Sequence, residues 1–258
     1  MPDQAPAITG FESFEFALAP ALLKQLVSLL DRMPQGQLTP ATADQLPNAQ
    51  GVYQLFHRDR LVYVGKTDAE AGLRQRLSRH AWTIMSRHNL SVDDISFRAV
   101  EVLVFSAMDL ETALIEHYRR RDQKPAWNGS GFGSNDPGRK RDTTALKADG
   151  FDANYPINID IDVSAHLPLD PLSAHNLLSR ITPQLPYTLR FERSAGAIQE
   201  LHDATVQLTA AENTVRSIIS LVCQMLPAGW QATRLAGRVI MYREAKDDYP
   251  GGEIIARS

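Results

Sequence analysis

The sequence predicts an α+β protein in which a small antiparallel or mixed sheet flanked by helices is followed by a second, C-terminal α+β unit. Three observations lead there. Two short strand-like runs bracket the polar segment His57-Arg58-Asp59-Arg60, and helix-, strand- and helix-like stretches follow them in a ββαβα order. A stretch at 129–150, rich in Gly, Asn, Asp, Pro and basic residues, then breaks all periodicity. Beyond it a separate set of alternating and amphipathic segments begins. The chain therefore divides into an N-terminal helix and connecting loop (1–50), a central unit with its glycine- and arginine-rich loop (51–154), and a C-terminal unit (155–258). With 258 residues, 43% of them hydrophobic, a sizeable core needs no covalent staple.

Residues 14–33 carry Leu22, Leu23, Leu26, Leu29 and Leu30 at the three- and four-residue spacings of an amphipathic helix, which Pro34 ends. Residues 35–50, with Thr39, Pro40, Thr42, Pro47 and Asn48, read as a connecting loop with one short turn. Runs 52–56 and 61–65 form a β-hairpin. Next come a helix at 71–88, a strand at 97–105 and a helix opened by Ser106 as its N-cap and running towards Asp122. In the C-terminal unit, strand-like alternation marks 157–163 (INIDIDV) and 187–192. An amphipathic helix at 210–225 and a strand pair at 231–243 complete it.

Charge is uneven. The net charge of −3 argues against bulk electrostatic attachment to nucleic acid, but 51–145 holds 15 Lys and Arg against 12 Asp and Glu (+3) and the remainder 12 against 18 (−6). Cys223 is the only cysteine, which excludes an intrachain disulfide and a cysteine-based zinc site. No apolar run approaches the roughly 18 residues needed to span a bilayer, and MPDQAPAITG lacks the basic end and apolar stretch of a signal peptide, so a cytoplasmic protein is expected.

The sharpest local pattern is Gly51-Val52-Tyr53 and Tyr63-Val64-Gly65 on adjacent strands, followed at once by Lys66. Taken alone, strand tyrosines are more often packing residues than catalysts. Arg76 and His80, four apart, put a guanidinium and an imidazole on one helix face. Glu111 in ETALI and Pro125-Ala126-Trp127-Asn128 follow. If the two tyrosines share one face of an antiparallel hairpin, the sum of paired residue numbers must be even, and the connection has three or five residues rather than four.

This ordered set, spanning 51–128, resembles the GIY-YIG nuclease superfamily. The loop GFGSNDPGRKR (131–141) further resembles the type II restriction endonucleases of that superfamily, particularly the branch cutting GC-rich palindromes. The resemblance implies catalytic roles for Tyr53, Tyr63, Arg76, His80 and Asn128, with His80 or Lys66 biasing the Tyr53 proton. Asn128 would bond the phosphate or hold the helix of Glu111. It also implies a metal-binding glutamate. Family spacing to the asparagine selects Glu116, while ETALI followed by a longer spacer selects Glu111. Glu111 shares an edge with Leu114, Ile115 and Tyr118, whereas Glu116 is explained by a surface pair with Arg120, and Glu111 is preferred.

The implied cofactor is Mg²⁺, with Mn²⁺ as the alternative, and the implied substrate is double-stranded DNA. Arg74 and Arg79 on the helix and Arg139, Lys140 and Arg141 in the loop are the expected DNA contacts. Trp127 is expected in the core, and His57, His88 and His117 at the surface. A homodimer suits an enzyme with one active site per chain that cuts palindromes, and a cognate DNA methyltransferase would belong to the same system. Two other readings are a nuclease of repair, mobile-element or modified-DNA-dependent type and a catalytically inactive nucleic-acid-binding module. The role of 155–258 is open between dimerisation, target recognition and sensing of modified DNA.

Overall fold

The computed structural model describes residues 18–67, 70–103, 110–133, 136–163, 170–209, 212–244 and 249–258. Its first element, α1 (Leu18–Arg32), buries Leu26, Val27 and Leu30, while Leu29, expected on the same stripe, is 38% exposed. After Pro34 the chain forms the short strand β1 (Gly36–Gln37) and one turn of helix, α2 (Pro40–Ala43), opened by a Thr39 capping box with Pro40 in the first helical position. The hairpin follows as β2 (Gly51–His57) and β3 (Arg60–Thr67). Next are α3 (Leu73–Met85), β4 (Ile95–Glu101) and α4 (Leu110–Arg120). The predicted N-cap Ser106 and the end of the predicted strand at 97–105 lie outside the described residues.

These strands form one antiparallel sheet in the order β1-β4-β2-β3. As the central partner of β3 and β4, β2 is buried on both faces, which its almost unbroken GVYQLF run anticipates. Against one face pack Leu73, Leu77, Ala81 and Ile84 of α3, together with Tyr53, Leu55 and Tyr63. Against the other pack Leu26, Val27 and Leu30 of α1 and Leu110, Leu114 and Tyr118 of α4, together with Val52 and Val64. Asp31 accepts a hydrogen bond from Tyr118 (3.0 Å) and pairs with Arg121 (3.0 Å), fixing the end of α4 to α1.

The hairpin corrects one expectation. Its connection is the two-residue turn Arg58-Asp59, both residues at positive φ (50° and 63°), rather than three or five residues. Pairing starts with an odd sum at His57↔Arg60 and Phe56↔Leu61, and a β-bulge then shifts it to the even sum of Leu55↔Tyr63 and Tyr53↔Gly65. The extra residue is on β3: Val62 and Tyr63 both join the α3-side core, while Leu61 and Val64 face the other side. The bulge does what a longer loop was expected to do, and both tyrosines face α3.

The rest of the chain contains α5 (Phe151–Asn154), β5 (Leu172–Ser173), α6 (Ala174–Ile181), β6 (Thr188–Phe191), α7 (Ala195–Asp203), β7 (Thr205–Val206), α8 (Val215–Met225), β8 (Gln231–Leu235), β9 (Arg238–Tyr242) and β10 (Glu253–Arg257). A mixed sheet runs β10-β8-β9-β6, with β6 parallel to β9, and β5 pairs with β7. Helices α6, α7 and α8 bury one continuous core against it, including Leu177, Leu201, Ile218, Val222 and Trp230. Cys223 lies in this core, and burial pushes its thiol up to about 11.

The alternation at 157–163 builds no strand. Ile157 and Ile159 are fully buried, but the backbone bonds to scattered partners: Ile157 N–H to Ala236, Asn158 N–H to Ser86 and Val163 N–H to Asn213. Alternating burial needs only an extended chain, whereas a strand needs a neighbour with a free ladder edge. Among the described residues no helix is long and apolar enough to cross a membrane.

Candidate active site

The site grows from the β2–β3 hairpin and the face of α3 that covers it. Tyr53 is fully buried and Tyr63 7% exposed, with ring centroids 6.0 Å apart. Opposite Tyr53, Gly65 leaves the space its ring needs: a β-carbon there would lie 2.4 Å from Tyr53 Cζ and Oη. The first turns of α3 bring Arg76 and His80 over this pair, one helical turn apart. His80 Nε2 and Tyr53 Oη share a 2.7 Å hydrogen bond.

Burial governs the charge states. His80 is 3% exposed, and desolvation, reinforced by Arg76 and Arg79, lowers its pKa to about 3, so the ring is neutral. Desolvation also raises Tyr53 far above the ordinary phenol range, aided by Tyr63 and Glu111 and opposed by Arg76. Tyr63 is raised by the same burial and then by Glu111. Arg76 is disfavoured by burial, yet its bond to Tyr53 and the fields of both tyrosines and Glu111 hold it above its ordinary value. Its Nε is buried without a hydrogen-bond partner. Two protonated phenols, a neutral imidazole and an unfulfilled guanidinium thus face one another.

The carboxylates differ in their surroundings. Glu111, in the first turn of α4, is half-buried and acts electrostatically on Tyr53, Tyr63 and Arg76. Glu116 points to solvent and pairs with Arg120 at 3.9 Å, one turn on. Among the described residues no three His, Cys, Asp or Glu side chains gather as a metal cage. The Glu111 carboxylate is a hard oxygen donor, which fits a divalent cation that keeps most of its water.

The other predicted residues are placed as follows. Lys66 alternates to the face of β3 opposite Tyr63 and is exposed, while His80 lies beside Tyr53. The Asn128 carboxamide bonds neither a helix nor open space. Its Oδ1 accepts from Val64 N–H and its Nδ2 donates to Val64 C=O, both at 2.8 Å, while Trp127 N–H donates to Val62 C=O at 2.7 Å. The segment thus finishes the free edge of β3 at the residue between Tyr63 and Gly65. Arg139 pairs with Glu192 (2.7 Å) and Glu244 (3.2 Å) and lies 4.1 Å from the Tyr242 ring centroid, which engages it with the C-terminal unit. Lys140 and Arg141 are exposed. Arg74, also exposed, bonds the Leu46 carbonyl (2.7 Å). Arg79 is exposed on the wall of the adjoining cleft. His57, expected at the surface, is tucked between Trp127 and Tyr155.

Sequence reasoning missed Phe132 and Asp142. Phe132 is 4% exposed and stacks on His80 (4.7 Å, 21°), meeting Tyr63, Trp127 and Phe151 edge-on or tilted. An aromatic residue between two glycines was its only signal. At Gly133 (φ 69°) the loop passes so near the site that a β-carbon would sit 3.4 Å from both His80 Cε1 and Tyr63 Oη. Ten residues on, Asp142 is 2% exposed and accepts from Arg190 (2.6 Å), Arg238 (2.7 Å) and Tyr242 Oη (2.7 Å). The loop is therefore held at one end by the site and at the other by the C-terminal sheet.

Residues 62–150 match the family model of the Eco29kI GIY-YIG domain, so the chain carries a GIY-YIG domain. That segment holds Tyr63, Arg76, His80, both glutamates, Asn128 and the whole loop, while Tyr53 precedes it. No curated protein matches the chain.

Proposed function

We propose that this GIY-YIG domain serves a Mg²⁺-dependent, sequence-specific DNA endonuclease of a type II restriction system, acting in the cytoplasm as a homodimer beside a cognate methyltransferase. The observation that carries the reading is the buried cluster of Tyr53, His80, Tyr63 and Arg76, with Glu111 acting on it electrostatically. Arg76, whose Nε lacks a partner, meets the negative charge that builds on the phosphate. Tyr53, its hydroxyl fixed by the 2.7 Å hydrogen bond it shares with His80 Nε2, orients the attacking water, which loses its proton to bulk solvent as it attacks. The hydroxide adds to phosphorus, the bond from phosphorus to the 3′ oxygen breaks, and the departing oxygen takes a proton from solvent. Tyr63 orients the phosphate or water by hydrogen bonding, and Asn128 keeps Tyr63 in place through Val64. Glu111 would hold the Mg²⁺ ion, which supplies positive charge to a phosphate oxygen. Arg79, Lys140 and Arg141 contribute backbone contacts.

The test is cleavage of unmodified plasmid and phage DNA with Mg²⁺ by the intact protein, Glu111→Ala and Glu116→Ala. Discrete fragments that disappear only with Glu111→Ala are expected, with Glu116→Ala within about two-fold of the intact protein because exposed pairs contribute little. Loss with Glu116→Ala alone would reassign the metal ligand. Failure of the intact protein to cut any DNA would overturn the nuclease reading.

A further inference from the structure

Beside the Tyr53–His80 site a cleft of 1250 Å³ opens between α3, the glycine-rich loop and the C-terminal unit. It is larger than the roughly 300–1,000 Å³ of a small-molecule pocket and is continuous with the site, since Arg76 and His80 line it. Six cationic side chains face three carboxylates along its walls. Two further observations point to its occupant. Trp82 lines it with 51% of its surface exposed, although the other tryptophans, Trp127 and Trp230, are 4% and 1% exposed. Two buried polar atoms of lining residues, Arg87 Nε and Tyr187 Oη, have no hydrogen-bond partner. Tyr187 is 7% exposed and belongs to the C-terminal unit, outside the matched segment.

An aromatic face, unsatisfied polar atoms and cationic walls next to a phosphate site match an unpaired nucleotide. A base inside a duplex has both faces covered by its neighbours, so it meets a tryptophan ring only when the strand is unpaired or the base extruded. Along α3, Trp82 is six residues, about 9 Å, beyond Arg76, a rise that reaches a nucleotide near the one whose phosphate Arg76 would hold. We infer that the cleft receives an unpaired nucleotide of the strand being cut, its base stacked on Trp82 and its polar edges met by Arg87 and Tyr187. This rests on the nuclease reading and adds that the substrate is locally opened and that the C-terminal unit contacts it.

The experiment uses fluorescein-labelled dT20 as the probe, in EDTA at fixed salt, with the full chain. Acrylamide should quench one class of accessible tryptophan, and dT20 should protect it. Trp82→Ala should weaken dT20 binding about ten-fold or more, with Trp82→Phe recovering most of it. Tyr187→Phe removes a hydroxyl that has no partner in the free protein, so it should weaken binding two- to ten-fold at unchanged thermal stability. If plasmid is cut but dT20 binding is indifferent to both Trp82→Ala and Tyr187→Phe, or if Trp82 is already shielded in the free protein, the inference fails and the nuclease reading stands. If no DNA is bound or cut, both fail.

Discussion

Two buried polar clusters lie within ten residues of each other along one loop and are built to opposite rules. At Asp142 every charge is met: the carboxylate accepts from two guanidinium groups and a phenol, and Arg190 also pairs with Asp136. Around Tyr53 the account is left open. His80 is kept neutral, two phenols are kept protonated, and Arg76 retains a buried donor without an acceptor. Full satisfaction produces a clamp, while deliberate shortage produces a place where an anion is welcome. Buried polarity alone does not mark a site. At Tyr53 it comes together with a guanidinium donor that has no acceptor.

The strongest way to break this contrast is Asp142→Ala. It leaves Arg190 and Arg238, 15% and 13% exposed, without their shared counter-charge, and should lower folding stability by about 3–5 kcal/mol in urea unfolding. Arg76→Ala should do the reverse, cutting the single-turnover cleavage rate by roughly 10²–10³ while leaving the unfolding midpoint nearly unchanged. A midpoint that falls with Arg76→Ala as far as with Asp142→Ala would erase the distinction. Gly65→Ala should perturb both measures moderately, because the new methyl meets the Tyr53 ring; a destabilisation of about 1–3 kcal/mol with loss of cleavage is expected.

Acidification gives the smallest effect per pH unit, and the most diagnostic one. His80 titrates near 3 in the folded chain and near its ordinary 6.5 when unfolded, so between these values the unfolded state binds the extra proton. The stability His80 contributes by remaining neutral is complete above pH 6.5 and falls as pH drops below it, by up to about 1.4 kcal/mol per pH unit. His80→Gln should flatten that slope by this amount relative to the intact protein. Equal slopes would show that the imidazole is not shielded from protons.

Much of the Tyr53 cluster is legible in the sequence because its determinants are local. The apolar run of β2, the four-residue spacing of Arg76 and His80 and the edge that Glu111 shares with Leu114 all follow from strand and helix periodicity. The bulge at Val62 is not legible, since His57-Arg58-Asp59-Arg60 does not reveal which two residues turn at positive φ. The clamp is invisible for another reason. Asp142 among basic residues reads as a solvated loop until β6 and β9 deliver their arginines, and no local pattern announces partners 48 to 100 positions away. Residues 157–163 mislead in the opposite direction, since their alternation is real but no strand edge waits beside them.

That sequence separation has a consequence during synthesis. Once residues 51–128 have left the ribosome, the side chains of the Tyr53 cluster all exist, and Tyr53 can find His80 across 27 positions. Phe132 can cap His80 soon after, but the far end of its loop has nothing to fasten to until Arg190, then Arg238 and Tyr242, have been made. The nascent chain thus carries the Tyr53 cluster for more than a hundred residues before the far end of the loop is fully fastened. The far end of this loop is therefore among the last contacts of the described fold to be fixed.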